Sequence, residues 1–189
     1  GVQTCALPIY TYSGLSKPLS LSVGFNRRFA PFIQKAKSLI SNSSVPINII
    51  ATMNAGYIPS EVWVHDMKVG GGRIIGEACH YMDLMIFLTN SAITEVVMNA
   101  LGKNPADNTD NAAILLKFAN GSQGVINYFS NGSKAYSKER VEIYSQGRTL
   151  IIDNFRKMNG YGFKNFSSAK SSIDKGHKAQ FQRLIKSVQ

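Results

Sequence analysis

Ala112-Ala113-Ile114-Leu115-Leu116-Lys117-Phe118, then Ala119-Asn120-Gly121-Ser122, then Gln123-Gly124-Val125-Ile126-Asn127-Tyr128-Phe129 is the stretch from which the fold is read. Two apolar runs of strand length flank an Asn-Gly pair, and that dipeptide supplies the positive φ a tight hairpin demands. The pattern recurs over residues 93–101, 140–144 and 149–152, with Asn131-Gly132 after the second run quoted and Gln146-Gly147 between the last two. Such turn-separated runs predict an antiparallel meander. Ahead of them, the β-branched residues 47–53 and the short apolar run 19–25 predict two further strands.

Helical spacing appears on either side of these runs. Phe29, Phe32, Ile33, Ala36, Leu39 and Ile40 share one face of a predicted helix over 29–40, and Phe181, Leu184, Ile185 and Val188 do so over 176–189. Residues 157–175 are rich in Ser, Lys and Gly and predict a long excursion without regular structure. The fold class is therefore α+β: a predominantly antiparallel β-sheet with helices packed on one face. Val96, Met98, Leu115, Val125, Ile126, Tyr128 and Phe129 put apolar side chains in both directions along the strands. A second sheet is expected on the uncovered face, most simply from another subunit, making a homo-oligomer.

At 189 residues and 44% hydrophobic, the chain suits one domain with a real core. It lacks the run of about 18 apolar residues that a membrane helix needs. Its two cysteines, Cys5 and Cys79, offer neither a disulfide framework nor a C-x-x-C metal site, and a reducing cytoplasmic compartment is expected. The net charge of +10 is uneven, with 12 of the 21 Lys/Arg but only 4 of the 11 Asp/Glu lying from Lys134 onward. Phe155, Tyr161, Phe163 and Phe166 lie among some of these cations, yet no named RNA or DNA motif occurs, so no nucleic-acid partner is expected. An anionic substrate would use the same charge.

Chemistry is centred on Gly70-Gly71-Gly72-Arg73-Ile74-Ile75-Gly76-Glu77-Ala78-Cys79-His80-Tyr81-Met82-Asp83. A triple glycine permits close approach to the backbone, and an amphipathic helix follows it. At about 100° per residue, Glu77, His80 and Asp83 fall within a sector of about 120°, beside a stripe formed by Ile75, Ala78, Cys79, Met82, Met85 and Ile86. The dinucleotide fingerprint G-x-G-x-x-G fits no frame here. Taken alone, the segment fits a catalytic strip and equally a glycine loop before a helix with a structural histidine.

Residues 1–9 read as the in-frame translation of a sequencing-library adapter, whereas a signal peptide would need a basic start and a longer apolar run. The protein is expected to begin further upstream, and this chain to be a fragment.

Five motifs in order carry a resemblance: Gly24-Phe25-Asn26-Arg27-Arg28-Phe29-Ala30-Pro31, Asn54-Ala55-Gly56 with Pro59 and Trp63, the Gly70 to Asp83 stretch, Lys117-Phe118-Ala119-Asn120-Gly121-Ser122, and Lys138-Glu139-Arg140-Val141-Glu142. Together they resemble the C-terminal domain of the Gfo/Idh/MocA oxidoreductases, most closely the branch fused behind a zinc-type alcohol dehydrogenase module. The resemblance implies an NAD- or NADP-dependent enzyme whose Rossmann domain is missing here, acting on a sugar, nucleotide sugar or polyol. It divides the chain into a remnant of the last Rossmann strand and junction at 10–28 and a substrate-binding and oligomerisation domain at 29–189, truncated at its C-terminal end.

By the same resemblance His80 is the catalytic histidine, taking a proton from a substrate hydroxyl, which suits an ordinary imidazole pKa of about 6.5. Arg27, Asn54 and Tyr136 fall where family members contact substrate or frame its pocket, and Asn26 adjoins the cofactor. Two departures stand out. Gly76 occupies the place where many members carry an aspartate four residues before the histidine, leaving Glu77 as a substitute that orients His80 or as a first-turn acid only. The family's Glu-Lys-Pro motif is absent, since Lys17-Pro18 lies too close to Gly24 to be it. The isolated chain is expected to be inactive. The competing reading is a non-catalytic carbohydrate-binding or oligomerisation domain; no metal is implied in either.

Overall fold

A computed structural model describes residues 23–40 and 45–188. Strands form where side chains alternate between two faces: in β1 (Asn48–Asn54) Ile49, Ala51 and Met53 are buried while Ile50 and Thr52 turn the other way. The alternation continues in β3 (Asn111–Phe118), which buries Ile114, Leu116 and Phe118, and in β4 (Gln123–Phe129), which buries Ile126 and Tyr128. In β5 (Glu139–Ser145) the inward residues are Val141 and Ile143, and in β6 (Arg148–Asp153) Leu150 and Ile152. With β2 (Ile93–Ala100), β7 (Lys157–Tyr161) and β8 (Ser168–Lys170) they make one eight-stranded sheet in the order β2-β3-β4-β1-β5-β6-β7-β8. Every pairing is antiparallel except β1 with β4, where Asn48 lies opposite Gln123.

The α+β class expected from the sequence is thus observed, but the meander is not simple. Turn residues specify the β3–β4 and β5–β6 hairpins; β1 enters between β4 and β5 because its own inward row completes the core there. Residues 157–175 differ more from expectation, since they form β7 and β8 rather than an irregular excursion. Their apolar alternation is thin, with Met158 buried and Ala169 paired to it, while Phe166 packs where a side chain at residue 160 would stand. Of the strand expected over 19–25, residues 19–22 lie outside the described part, and 23–26 are irregular. Residues 1–9 also lie outside it.

Two helices cover the buried face. Pro31 opens α1 (Pro31–Leu39), a first-turn position where its missing N–H costs nothing, and the helix buries Phe32, Ile33 and Ala36. The second, α2 (Cys79–Thr89), buries Tyr81, Leu84, Met85 and Leu88 and ends at Asn90, whose φ of 52° closes the helix in left-handed geometry. Gly124 lets α2 approach the sheet, because a Cβ there would stand 2.5 Å from Met85 Sδ. The last helix, α3 (His177–Val188), lies against the 3-10 turn Arg27–Phe29. Gly176, just before it, has φ of 87° and no room for a Cβ, which would meet the backbone of residues 26–30 at 2.5 Å. That tight contact fixes the start of α3 beside the paired residues Met53 and Glu139.

Among the described residues, no element covers the opposite face of the sheet. Across it Val97, Leu115, Val125, Ile50 and Ile151 form part of one row, with Leu115 53% exposed. Ile126 and Tyr128, expected to contribute to both faces, belong to the buried side, as do Val96 and Met98 by register, although at the β2 edge those two are exposed.

Candidate active site

The glycine turn shapes one wall. Gly70 packs on the chain's own backbone, where a Cβ would lie 2.6 Å from Trp63 O, and Gly71 and Gly72 adopt φ of 71° and 80°. The chain then makes a π-helical turn, Ile74–Ala78, before α2 begins. Such turns are uncommon and recur at functional sites. The π turn holds Glu77 and so shifts it from its α-helical place, whereas His80 and Asp83 both stand in α2, and the three side chains meet different surroundings. Glu77 accepts a 2.8 Å hydrogen bond from Tyr128 Oη, Asp83 is held by Arg28 Nε at 2.8 Å and by Arg28 Nη2, and His80 turns to a cleft. Asp83 accordingly has the structural role of joining α2 to the turn at Arg27–Phe29.

The cleft has a volume of about 390 Å³, and Asn26, Arg27, Glu77 and His80 all line it. His80 is 9% exposed, with the edge of its ring toward Phe25 and its Nδ1 buried without a hydrogen-bond partner. No bond joins Glu77 to His80; besides Tyr128, the Glu77 carboxylate faces Arg73 Nε at 3.9 Å. Burial and the neighbouring Glu77 charge push the Tyr128 phenol well above its ordinary pKa, so at neutral pH it stays a donor. Buried Arg73 also bonds Asp110 Oδ2 at 3.0 Å and Gly56 O at 2.8 Å, tying the glycine turn to the start of β3.

On the other side, Arg27 Nη2 donates to Glu139 Oε1 at 2.7 Å and Lys175 Nζ lies 3.1 Å from Oε2. Glu139 is 1% exposed. Burial by itself would raise its pKa, but the charges of Arg27 and Lys175 outweigh that and hold the carboxyl below its ordinary value. Asn26 Nδ2 donates to Lys175 O at 2.8 Å, which spends its amide on placing Lys175.

Asn54 and Tyr136 stand apart from this cleft. Asn54 is buried and donates to Ser133 O at 2.7 Å, and Tyr136 is 58% exposed. Conversely, Trp63, Arg73, Lys138, Glu139, Lys175 and His177 line the cleft without having been singled out as site residues. Glu139 sat inside a quoted motif and Trp63 is the sole tryptophan, so both carried a signal. Lys175 and His177 carried none, because their position depends on the contact of Gly176 with residues 26–30. Among the described residues no group of three His, Cys, Asp or Glu is placed to hold a metal ion. No described helix is long and apolar enough to cross a membrane.

Residues 33–151 match the family model of the GFO/IDH/MocA C-terminal domain, and the chain belongs to that oxidoreductase family. It is 28% identical to the uncharacterized oxidoreductase YrbE of Bacillus subtilis, across 73% of this chain and 41% of the relative. To the myo-inositol 2-dehydrogenase of Thermotoga maritima it is 25% identical, across 72% of this chain and 42% of the relative. The fold matches that of UDP-N-acetylglucosamine 3-dehydrogenase GnnA from Acidithiobacillus ferrooxidans with a TM-score of 0.68 at 19% identity, covering 90% of this chain and 54% of that one. The chain thus spans less than half the length of these curated relatives.

Proposed function

We propose that this chain is the substrate-binding half of an NAD- or NADP-dependent dehydrogenase acting on a CH–OH group of a sugar, nucleotide sugar or polyol, with His80 as the proton acceptor in oxidation. The observation that carries the reading is the position of His80: a largely buried imidazole lining an open cleft beside Glu77 and Arg27. The substrate classes follow from relatives named for inositol and UDP-N-acetylglucosamine.

In this reading His80 takes the hydroxyl proton as the carbonyl forms; a bound nicotinamide would supply the hydride acceptor for the same carbon. Arg27 orients a substrate oxygen, while Glu77, held by Tyr128 and Arg73, accepts from a neighbouring hydroxyl. Residues of this chain fit only the reacting end of such a cofactor. Asn26 and His80 border the cleft, whereas G-x-G-x-x-G does not occur in the sequence, so the phosphates belong to a nucleotide-binding domain joined to this one. Residues 10–28 are the junction and 29–189 the substrate domain of that parent, in the branch that also carries an alcohol dehydrogenase module. The parent is a cytoplasmic homo-oligomer that pairs through the open sheet face. Replacing His80 by alanine in a protein that joins both domains is expected to lower turnover by about 10²–10⁴. Turnover near that of the unaltered protein would remove the assignment.

A further inference from the structure

Charge is divided unevenly around the cleft. At one end two cations, Arg27 and Lys175, share the single carboxylate of Glu139, at 2.7 and 3.1 Å. Lys138, which precedes Glu139 and lines the same cleft, forms no ion pair among the described residues. The Arg27 guanidinium lies over the Tyr81 ring at 5.0 Å, with Nε buried and without a hydrogen-bond partner. His177, the first residue of α3, also lines the cleft; the roughly half positive charge that a helix carries at this end is offset in part by Asp174, whose Oδ1 accepts from Gly176 N at 2.7 Å. Near Glu77 no such excess exists: Arg73 and Glu77 both line the cleft 3.9 Å apart, and Arg73 is also paired with Asp110 at 3.0 Å, which is not part of the lining.

We infer that the cleft takes a hydroxylated ring bearing an anionic group, carboxylate or phosphoryl, seated at the Arg27–Lys175–Lys138 end with the ring hydroxyls turned toward Glu77. The anion completes the charge balance that Glu139 leaves open and accepts charge-assisted bonds from the cations. Placed beside Glu77, it would face that carboxylate, whereas hydroxyl groups donate to Glu77 at no such cost. A neutral polyol would leave the cationic end unmatched. The inference names the substrate class of the site proposed above and rests on that reading for the identity of the reacting carbon, but not for binding.

Glucose, glucuronate and glucose 6-phosphate share a ring and differ at one carbon, so calorimetric titration of the 189-residue chain with each at low salt tests it. The acidic ligands are expected to bind about tenfold or more tightly than glucose. Added salt should shrink the difference, and the tighter of the two identifies the anion. Lys175→Gln should abolish most of the preference. Lys138→Gln, at an exposed position with no structural partner, should reduce it about threefold while the fold stays intact by circular dichroism. Equal affinity for all three, no binding of any up to about 10 mM, or a preference unchanged in Lys138→Gln would overturn the inference. So would NAD⁺ competing for the same end as strongly as the acidic sugars. Acidic ligands that bind but are never oxidised by the two-domain protein would instead sink the dehydrogenase reading and leave the inference standing. Oxidation with no acidic preference would do the reverse.

Discussion

Glu139→Gln removes one charge from the buried cluster that joins β5, the turn at Arg27–Phe29 and the approach to α3. The variant keeps the side chain's shape and one acceptor, but leaves Arg27, with a side chain 9% exposed, and Lys175, 24% exposed, without their shared anion. Removing one partner of a buried pair costs about 3–5 kcal/mol. Lys175 can turn partly to water and the amide can still accept from Arg27, so the low end, about 3 kcal/mol, is expected. For a chain of this length that corresponds to a fall in Tm of roughly 6–12 °C. The pH dependence carries a definite sign. Because the folded-state pKa of Glu139 is depressed, its contribution is complete above the ordinary glutamate value of about 4.3 and is lost as pH falls through the lower folded value. Thermal denaturation followed by circular dichroism should therefore show the gap between the two proteins at neutral pH and its closing in acid. A loss below about 1 kcal/mol at neutral pH, the range of an exposed pair, or a gap that widens in acid, would refute the reasoning.

Gly124→Ala should cost about 1–3 kcal/mol in urea denaturation, since a Cβ would stand 2.5 Å from Met85 Sδ and the fully buried Met85 side chain would have to repack; unchanged stability would mean that the contact is loose. If the open sheet face pairs with a second copy, sedimentation at micromolar concentration should find a dimer, and Leu115→Lys should make it monomeric by burying an unpaired charge in that interface. A monomeric unaltered chain would remove the pairing.

Much of the sheet was legible because strand signals are local. The runs expected over 93–101, 112–118 and 123–129 match β2, β3 and β4 to within a residue at either end, since alternation and the Asn120-Gly121 turn act over short stretches. The place of β1 was not, because it is chosen by side chains from strands far away in sequence. β7 and β8 were missed for a related reason: a strand held by β6 and by Phe163 and Phe166 needs little apolar pattern of its own. The segment from Gly70 to Asp83 stood out by composition, and several of its residues line the cleft. Its geometry was visible only in part: α-helical counting holds for His80 and Asp83 within α2 but not for Glu77, which lies in the π turn at Ile74–Ala78. Arg73 was given no role of its own from the sequence; the acceptors it meets from Gly56 and Asp110 account for its burial. Asn54, inside a quoted motif, and Tyr136, outside all five, were carried over by resemblance and do not line the cleft, since likeness of sequence does not show where a side chain points.

Imidazole rescue tests the role of His80 most directly. In the protein that joins this domain to its nucleotide-binding domain, His80→Ala should bind substrate almost unchanged and lose about 10²–10⁴ in turnover. Free imidazole should then restore part of that turnover in a concentration-dependent way, because the cleft still holds the substrate hydroxyl where the ring had been. Turnover that survives the substitution, or a loss that imidazole leaves untouched while substrate binding is intact, would contradict the assignment of His80 as the acid/base group.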